Sequence, residues 1–170
     1  MEPKFTRQGE FAMERIVKVV DYVQLRLSAL FLIVFVLTVS IQVLGRNFGF
    51  YIPWTEEVSN YSFIWMVFMG GAVLVNKDEH FRVAVLEDKF NSTVQMIISI
   101  IVHTSIIFFG LAMLYYGINL TTEYGNWTLI TLPSIEKKYV WMSVPIAGAT
   151  ISLYSVNNLI SAINSGRRGV

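Results

Sequence analysis

Four stretches of this chain contain no Asp, Glu, Lys or Arg. They are Leu27 to Gly45 (19 residues), Val58 to Asn76 (19), Phe90 to Thr122 (33) and Tyr139 to Gly166 (28). Runs of this kind constrain the fold more than any other feature. A 19-residue helix covers roughly 28 Å, close to the roughly 30 Å of hydrocarbon in a bilayer. Composition agrees: 54% of residues are hydrophobic and 15% charged, against about 25% charged in a soluble domain. The charges also sit in islands between the apolar runs.

The first two runs predict one crossing each. The third would reach roughly 50 Å as a single helix, and its ends ("NSTVQ", "NLTTEYGN") are polar. Its buried part is therefore placed near Val94 to Gly117. The fourth is expected to enter near Trp141 and leave near Ile160. The expected fold class is an all-α membrane protein with four transmembrane helices. It forms a single four-helix transmembrane domain over residues 1–170, with spans at about 27–45, 58–76, 94–117 and 141–160. Twenty-six residues precede the first run and no small-x-small cleavage site follows it, so this run is expected to stay as an anchor rather than be removed as a signal peptide.

Orientation follows from the basic residues. Lys4, Arg7, Arg15, Lys18, Arg26, Lys77, Arg82, Lys89, Arg167 and Arg168 fall on one side of a four-span chain, and Arg46, Lys137 and Lys138 on the other. Both termini are thus expected in the cytoplasm. In the N-terminal arm, Phe11, Ile16, Val19, Val20, Val23 and Leu27 recur at helical spacing, with Glu14, Arg15, Lys18 and Asp21 mostly between them. That pattern fits either an amphipathic helix lying in the interface or a plain extension of the first span.

The same residues exclude most chemistry. With no cysteine there is no disulfide, thiolate nucleophile or zinc–cysteine site. With only His80 and His103, a histidine metal cluster is not expected. A net charge of +1 gives no case for nucleic acid. No nucleophile–base pair or glycine-rich phosphate loop occurs, so no catalytic residue, metal or cofactor is assigned and the chain is not read as an enzyme. Intramembrane ionisable groups mark ion and substrate paths because burying them is costly. Here His103 is the one such group inside a predicted span, and a lone histidine there is ordinarily a packed side chain.

What remains points to helix packing. Gly70, Gly71 and Ala72 are consecutive small residues in the second span. Ser143 and Ala147, then Gly148 and Ser152, lie four apart in the fourth. Small residues let helices approach closely in lipid. Tyr51, Trp54, Tyr124, Trp127, Tyr139 and Trp141 mark the expected outer boundaries as an aromatic belt. The stretch "PWTEEV" at 53–58 reads as a helix start. Thr55 is a candidate N-cap, and Glu56 and Glu57 lie in the first turn, where the helix dipole favours anions. A single acid would satisfy that dipole. The second, Glu57, is expected to pair with a cation, either Arg46 or a basic group on another subunit.

From Arg46 to about Phe90 the chain resembles the small membrane subunit (Q-type, DctQ-like) of tripartite ATP-independent periplasmic (TRAP) transporters. An Arg after the first span is followed by "WTEE", the small-residue patch "FMGGAVL" and the charged turn "NKDEHFRV". The resemblance implies an accessory scaffold subunit in a bacterial inner membrane. Its implied partners are a large multi-spanning subunit, a periplasmic binding protein that delivers an organic acid, and membrane lipid, with transport driven by sodium. It carries over Arg46, Trp54, Glu56, Glu57, Gly70, Gly71 and His80 as structural or subunit-contact residues. The competing reading is a self-sufficient homo-oligomeric small transporter or channel. Such exporters usually hold a carboxylate inside a span, and none of the four predicted spans contains one.

Overall fold

The computed structural model describes residues 4–77 and 92–168. Five helices occupy them: α1 (Lys4–Asn47), α2 (Pro53–Lys77), α3 (Ser92–Tyr124), the short α4 (Lys138–Trp141) and α5 (Ser143–Arg168). Four segments are long and apolar enough to cross a membrane: Met13–Asn47, Pro53–Lys77, Ile97–Tyr124 and Lys138–Ala162. Among the described residues there is no strand, only an isolated antiparallel bridge between Thr128 and Glu136.

Two helices run beyond the predicted spans. α1 is one uninterrupted 44-residue helix, roughly 66 Å long. The N-terminal arm therefore continues the first span along its axis rather than forming a separate interfacial helix. α3 keeps its full 33 residues, past the predicted limit at Gly117. The polar residues expected outside the buried part stay helical: the Thr121 hydroxyl donates to the Gly117 carbonyl (2.8 Å) and that of Thr122 to Ile118 (3.1 Å). A threonine that bonds back into its own helix need not end it.

The turn after α1 is closed by Gly49 at φ 79°. The Phe50 N–H donates to the Gly45 carbonyl (2.8 Å) and the Gly49 N–H to Arg46 (3.2 Å). This is a Schellman cap, with glycine where a left-handed residue is required. Pro53 then opens α2 at a position where a missing N–H costs nothing. Thr55 is not the N-cap the sequence suggests. It lies inside the first turn, fully buried, and its hydroxyl donates back to the Ile52 carbonyl at 2.7 Å.

The helices form an open row, α1–α2–α5–α3, not a closed bundle. α3 packs chiefly on α5, α1 on α2, and α2 on α5; among the described residues α3 makes no comparable contact with α1 or α2. Of the most apolar window in each spanning segment, 44% is buried for α4–α5 and 28% for α2, against 6% for α1 and 11% for α3. The inner pair thus carries the core: Met69, Ala72, Ala147, Ile151 and Tyr154, joined by Val17 of α1.

Each seam has its own chemistry. Between α1 and α2, Phe31 stacks on Trp65 (5.4 Å between centroids), and the Ser28 hydroxyl donates to the Met66 carbonyl at 3.2 Å. Between α3 and α5 the backbones touch. A Cβ on Gly148 would lie 2.6 Å from the Leu114 nitrogen and 2.7 Å from the Gly110 carbonyl oxygen, and one on Gly117 would lie 2.8 Å from Pro145. His103, Gly110 and Gly117, seven residues apart in turn and all buried, form the α3 stripe that includes this seam. Close approach is what small residues provide where lipid supplies no hydrophobic drive.

Gly148→Val should therefore force α3 off α5. Thermal unfolding in detergent should show a loss of about 1–3 kcal/mol, the usual cost of overpacking. Gly71→Val should leave the midpoint of the isolated chain nearly unchanged, because nothing lies within 4 Å of the position where its Cβ would sit.

Candidate functional site

The row has two ends. One carries the α1–α2 turn (48–52) and the long connection 125–137; the other carries the start of α1 and the end of α5. The site residues suggested by the sequence gather mostly at the first end.

The connection 125–137 is folded. The Lys137 N–H donates to the Trp127 carbonyl (2.7 Å), Leu129 to Ile135 (3.0 Å) and Lys138 to Gly125 (3.0 Å), which gives a small antiparallel hairpin. Leu129 is buried beneath it, whereas Ile130 at its tip is 84% exposed. Lys137 lies over the Trp127 ring (5.6 Å), and Trp127 meets Tyr124 edge to face (5.7 Å). Lys138 pairs with Glu136 at 2.6 Å on the surface.

Glu57 holds this hairpin to α2. Its two carboxylate oxygens accept the N–H groups of Ile130 and Thr131, each at 2.8 Å, and one oxygen also accepts the Thr131 hydroxyl. A carboxylate bonded by two backbone N–H groups and a hydroxyl gains charge-assisted bonds, roughly twice the strength of neutral ones. Glu57 thus holds the hairpin to α2 as a clasp; where a cation was expected as its partner, the donors are the backbone and hydroxyl groups of its own chain, and Arg46 is not among them. About two turns further along α2, the Trp65 indole N–H donates to the Tyr139 carbonyl at 2.9 Å, which ties α2 to α4.

The other carried-over residues separate. Glu56 is exposed in the first turn of α2. Arg46 is exposed in the last turn of α1, and Trp54 is partly exposed beside Phe48, Phe50 and Tyr51 of the turn. Gly70 packs inside the chain, its would-be Cβ 2.9 Å from the Ser28 hydroxyl, whereas Gly71 faces outward. His80 lies outside the described residues. The neighbouring glycines therefore have opposite roles, one internal and one available.

The opposite end carries a network whose centre, Gln24, sequence reasoning missed. Gln24, buried at 3% exposure, donates to the Thr150 hydroxyl (2.9 Å) and to the Met69 sulfur (3.5 Å), and accepts from the Tyr154 hydroxyl (2.6 Å). One amide thereby joins α1, α2 and α5. Asn76 donates to Asp21 at 3.0 Å, and Asn158 donates to the Val75 carbonyl at 3.4 Å. Gln24 escapes notice in the sequence because it sits two residues before Arg26, outside the charge-free run. Its helical spacing to Val17, Ser28 and Phe31 was the available signal.

These features define a class: a small helical membrane protein whose polar side chains are used to tie helices together. Among the described residues, no group of three or more His, Cys, Asp or Glu is placed to hold a metal ion. The chain belongs to the family described as tripartite ATP-independent periplasmic transporters, DctQ component, which matches residues 35–165. A Haemophilus influenzae protein assigned as a TRAP transporter small permease is 28% identical over 122 residues, covering 71% of this chain and 74% of the relative.

Glu57→Gln keeps the shape of the clasp but turns an acceptor into a donor against two N–H groups. Hydrogen exchange at the amides of Ile130 and Thr131 should speed up about tenfold, corresponding to the ~1.4 kcal/mol expected for a charged hydrogen bond near a surface. Glu56→Gln should leave both amides unchanged.

Proposed function

We propose that this chain is the accessory scaffold subunit of a TRAP transporter, one membrane domain in a bacterial inner membrane with both termini in the cytoplasm. It braces a large multi-spanning subunit, and a periplasmic binding protein brings that subunit an organic acid for sodium-driven uptake. Family membership carries the reading: a component of a tripartite system implies companions. The identity of the acid rests with those companions.

The geometry supports a brace over a carrier. Gln24, Tyr154, Asn158 and Glu57 each engage another part of the same chain, so these polar groups stiffen the unit. Arg46, Trp54, Glu56 and the outward-facing Gly71 remain as subunit-contact positions, together with His80. Glu57 and Gly70 keep a structural role through the hairpin and α1.

Reconstituted alone in vesicles with an inward sodium gradient, the chain should take up no organic acid. Co-expressed with its large subunit it should co-purify with it, and Gly71→Val should reduce that recovery without altering the melting of the isolated chain. Sodium-dependent uptake by this chain alone would instead establish the self-sufficient transporter.

A further inference from the structure

The N-terminal part of α1 carries an ordered surface that neither the clasp nor the core uses. Arg15, Lys18, Tyr22 and Arg26 are spaced three, four and four residues apart and are all exposed. At roughly 100° per residue they fall within an arc of about 80°. Val17, Gln24 and Ser28, which face α2 and α5, lie on the opposite side of the helix. Arg26 stacks over Tyr22, its guanidinium 5.0 Å from the ring centroid. Ile16, Val19 and Val23 are exposed beside this stripe.

The stripe carries three basic residues and no acid. The acids of this segment lie off it: Asp21 is bonded to Asn76, and Glu14 sits on the flank toward Asp21. The stripe also lies before residues 35–165, so the family match does not account for it.

Its depth is set by its neighbours. The Asp21–Asn76 bond places Asp21 level with the end of α2. Arg26 is five residues further in, roughly 8 Å toward the membrane centre. Its side chain turns back over Tyr22, toward the end of the bundle, as a snorkelling arginine does. Arg15 lies roughly 9 Å beyond Asp21 on the other side. The four residues therefore bracket the boundary between hydrocarbon and headgroups. Along the same face the stripe runs without a break into exposed Leu30, Ile33 and Leu37, which are purely apolar.

We propose that this face of α1 binds anionic phospholipid, with Arg15, Lys18 and Arg26 holding headgroup phosphates and Val23, Leu30 and Ile33 against the acyl chains. Charge complementarity selects the ligand, since clusters of basic residues beside a span attract anionic lipid. Continuity with the apolar face of the span selects lipid over an acidic protein segment, which would not match Leu30 and Ile33. An exposed aromatic at the same level agrees with the headgroup layer. The basic residues that orient the chain thus also form a site.

The test uses the full chain purified in a neutral detergent and does not need the large subunit, so it is independent of the transporter reading. Phosphatidylglycerol should raise the thermal midpoint by several degrees, as a ligand of the folded state does. Phosphatidylcholine and inorganic phosphate at matched concentrations should not. Arg15→Gln/Lys18→Gln/Arg26→Gln should lose more than half of the phosphatidylglycerol shift. Lys137→Gln/Lys138→Gln, at the other end, should keep it, as should the charge-preserving Arg15→Lys/Arg26→Lys. If the triple variant does not fold, each single variant should still show a reduced shift. A full shift in all of the glutamine variants, or equal shifts with both lipids, overturns the site. Indifference of the wild-type chain to phosphatidylglycerol does the same, and leaves an acidic protein partner as the occupant.

Discussion

Inside a bilayer, bringing two apolar helices together removes no water, so the hydrophobic effect that packs a soluble bundle contributes nothing there. Everything else in this structure depends on that constraint. Contact has to come from fit and from hydrogen bonds. The α3–α5 seam meets the first demand with backbone against backbone at Gly110, Gly148, Gly117 and Pro145. The α1–α2 seam uses stacked rings, Phe31 on Trp65 and Phe35 near Phe63. α2 and α5 meet through Met69, Ala72, Ala147 and Tyr154, side chains of very different size that fill one another's gaps.

Hydrogen bonds then fix the register at both ends of the row. Gln24 joins three helices at one end; Glu57 and Trp65 tie α2 to the 125–141 region at the other. A helix pair held by packing alone can slide or rotate by a turn with little penalty. Two pinned ends leave α2 and α5 with one alignment. The inner pair is accordingly the rigid part; α3 hangs on α5, and α1 packs on α2 with Gln24 reaching α5.

The spans were legible because a bilayer imposes a length rule that composition cannot hide, and Pro53 to Lys77 falls almost where the charge-free run puts it. The lengths of α1 and α3 were not, because a helix leaving the membrane meets no such rule and threonines such as Thr121 can bond within it. Gly148 and Ser152 stood out by their spacing to other small residues. Their partner Gly110, seven residues before Gly117 in a run of large side chains, carried an equal signal. The clasp was half legible: two adjacent acids exceed what a helix dipole needs, which pointed to Glu57. Its partners were not, since they are backbone N–H groups 73 and 74 residues away, and a backbone donor leaves no mark in a sequence. Position 55 misled because a threonine before two glutamates fits a cap, while Pro53 had already started the helix.

An open row has a consequence that a closed bundle does not. With α1 and α3 apart, no polar group can be enclosed by all four helices. A hydrophilic solute crossing through this chain alone would have to pass along a groove that faces lipid, where every lost hydrogen bond with water goes unreplaced. A row also presents more lateral surface per residue than a bundle of the same length, because two helices contribute nearly their whole circumference. That surface is divided by chemistry. α1 shows basic residues and a tyrosine at one level and aliphatic side chains at the next, while α3 shows Phe108 and Phe109 in the middle of its length and Tyr115 and Tyr116 about two turns nearer its C-terminal end. The basic stripe matches headgroups. The architecture therefore favours a stiff plate with one edge suited to lipid over an enclosed path for a solute.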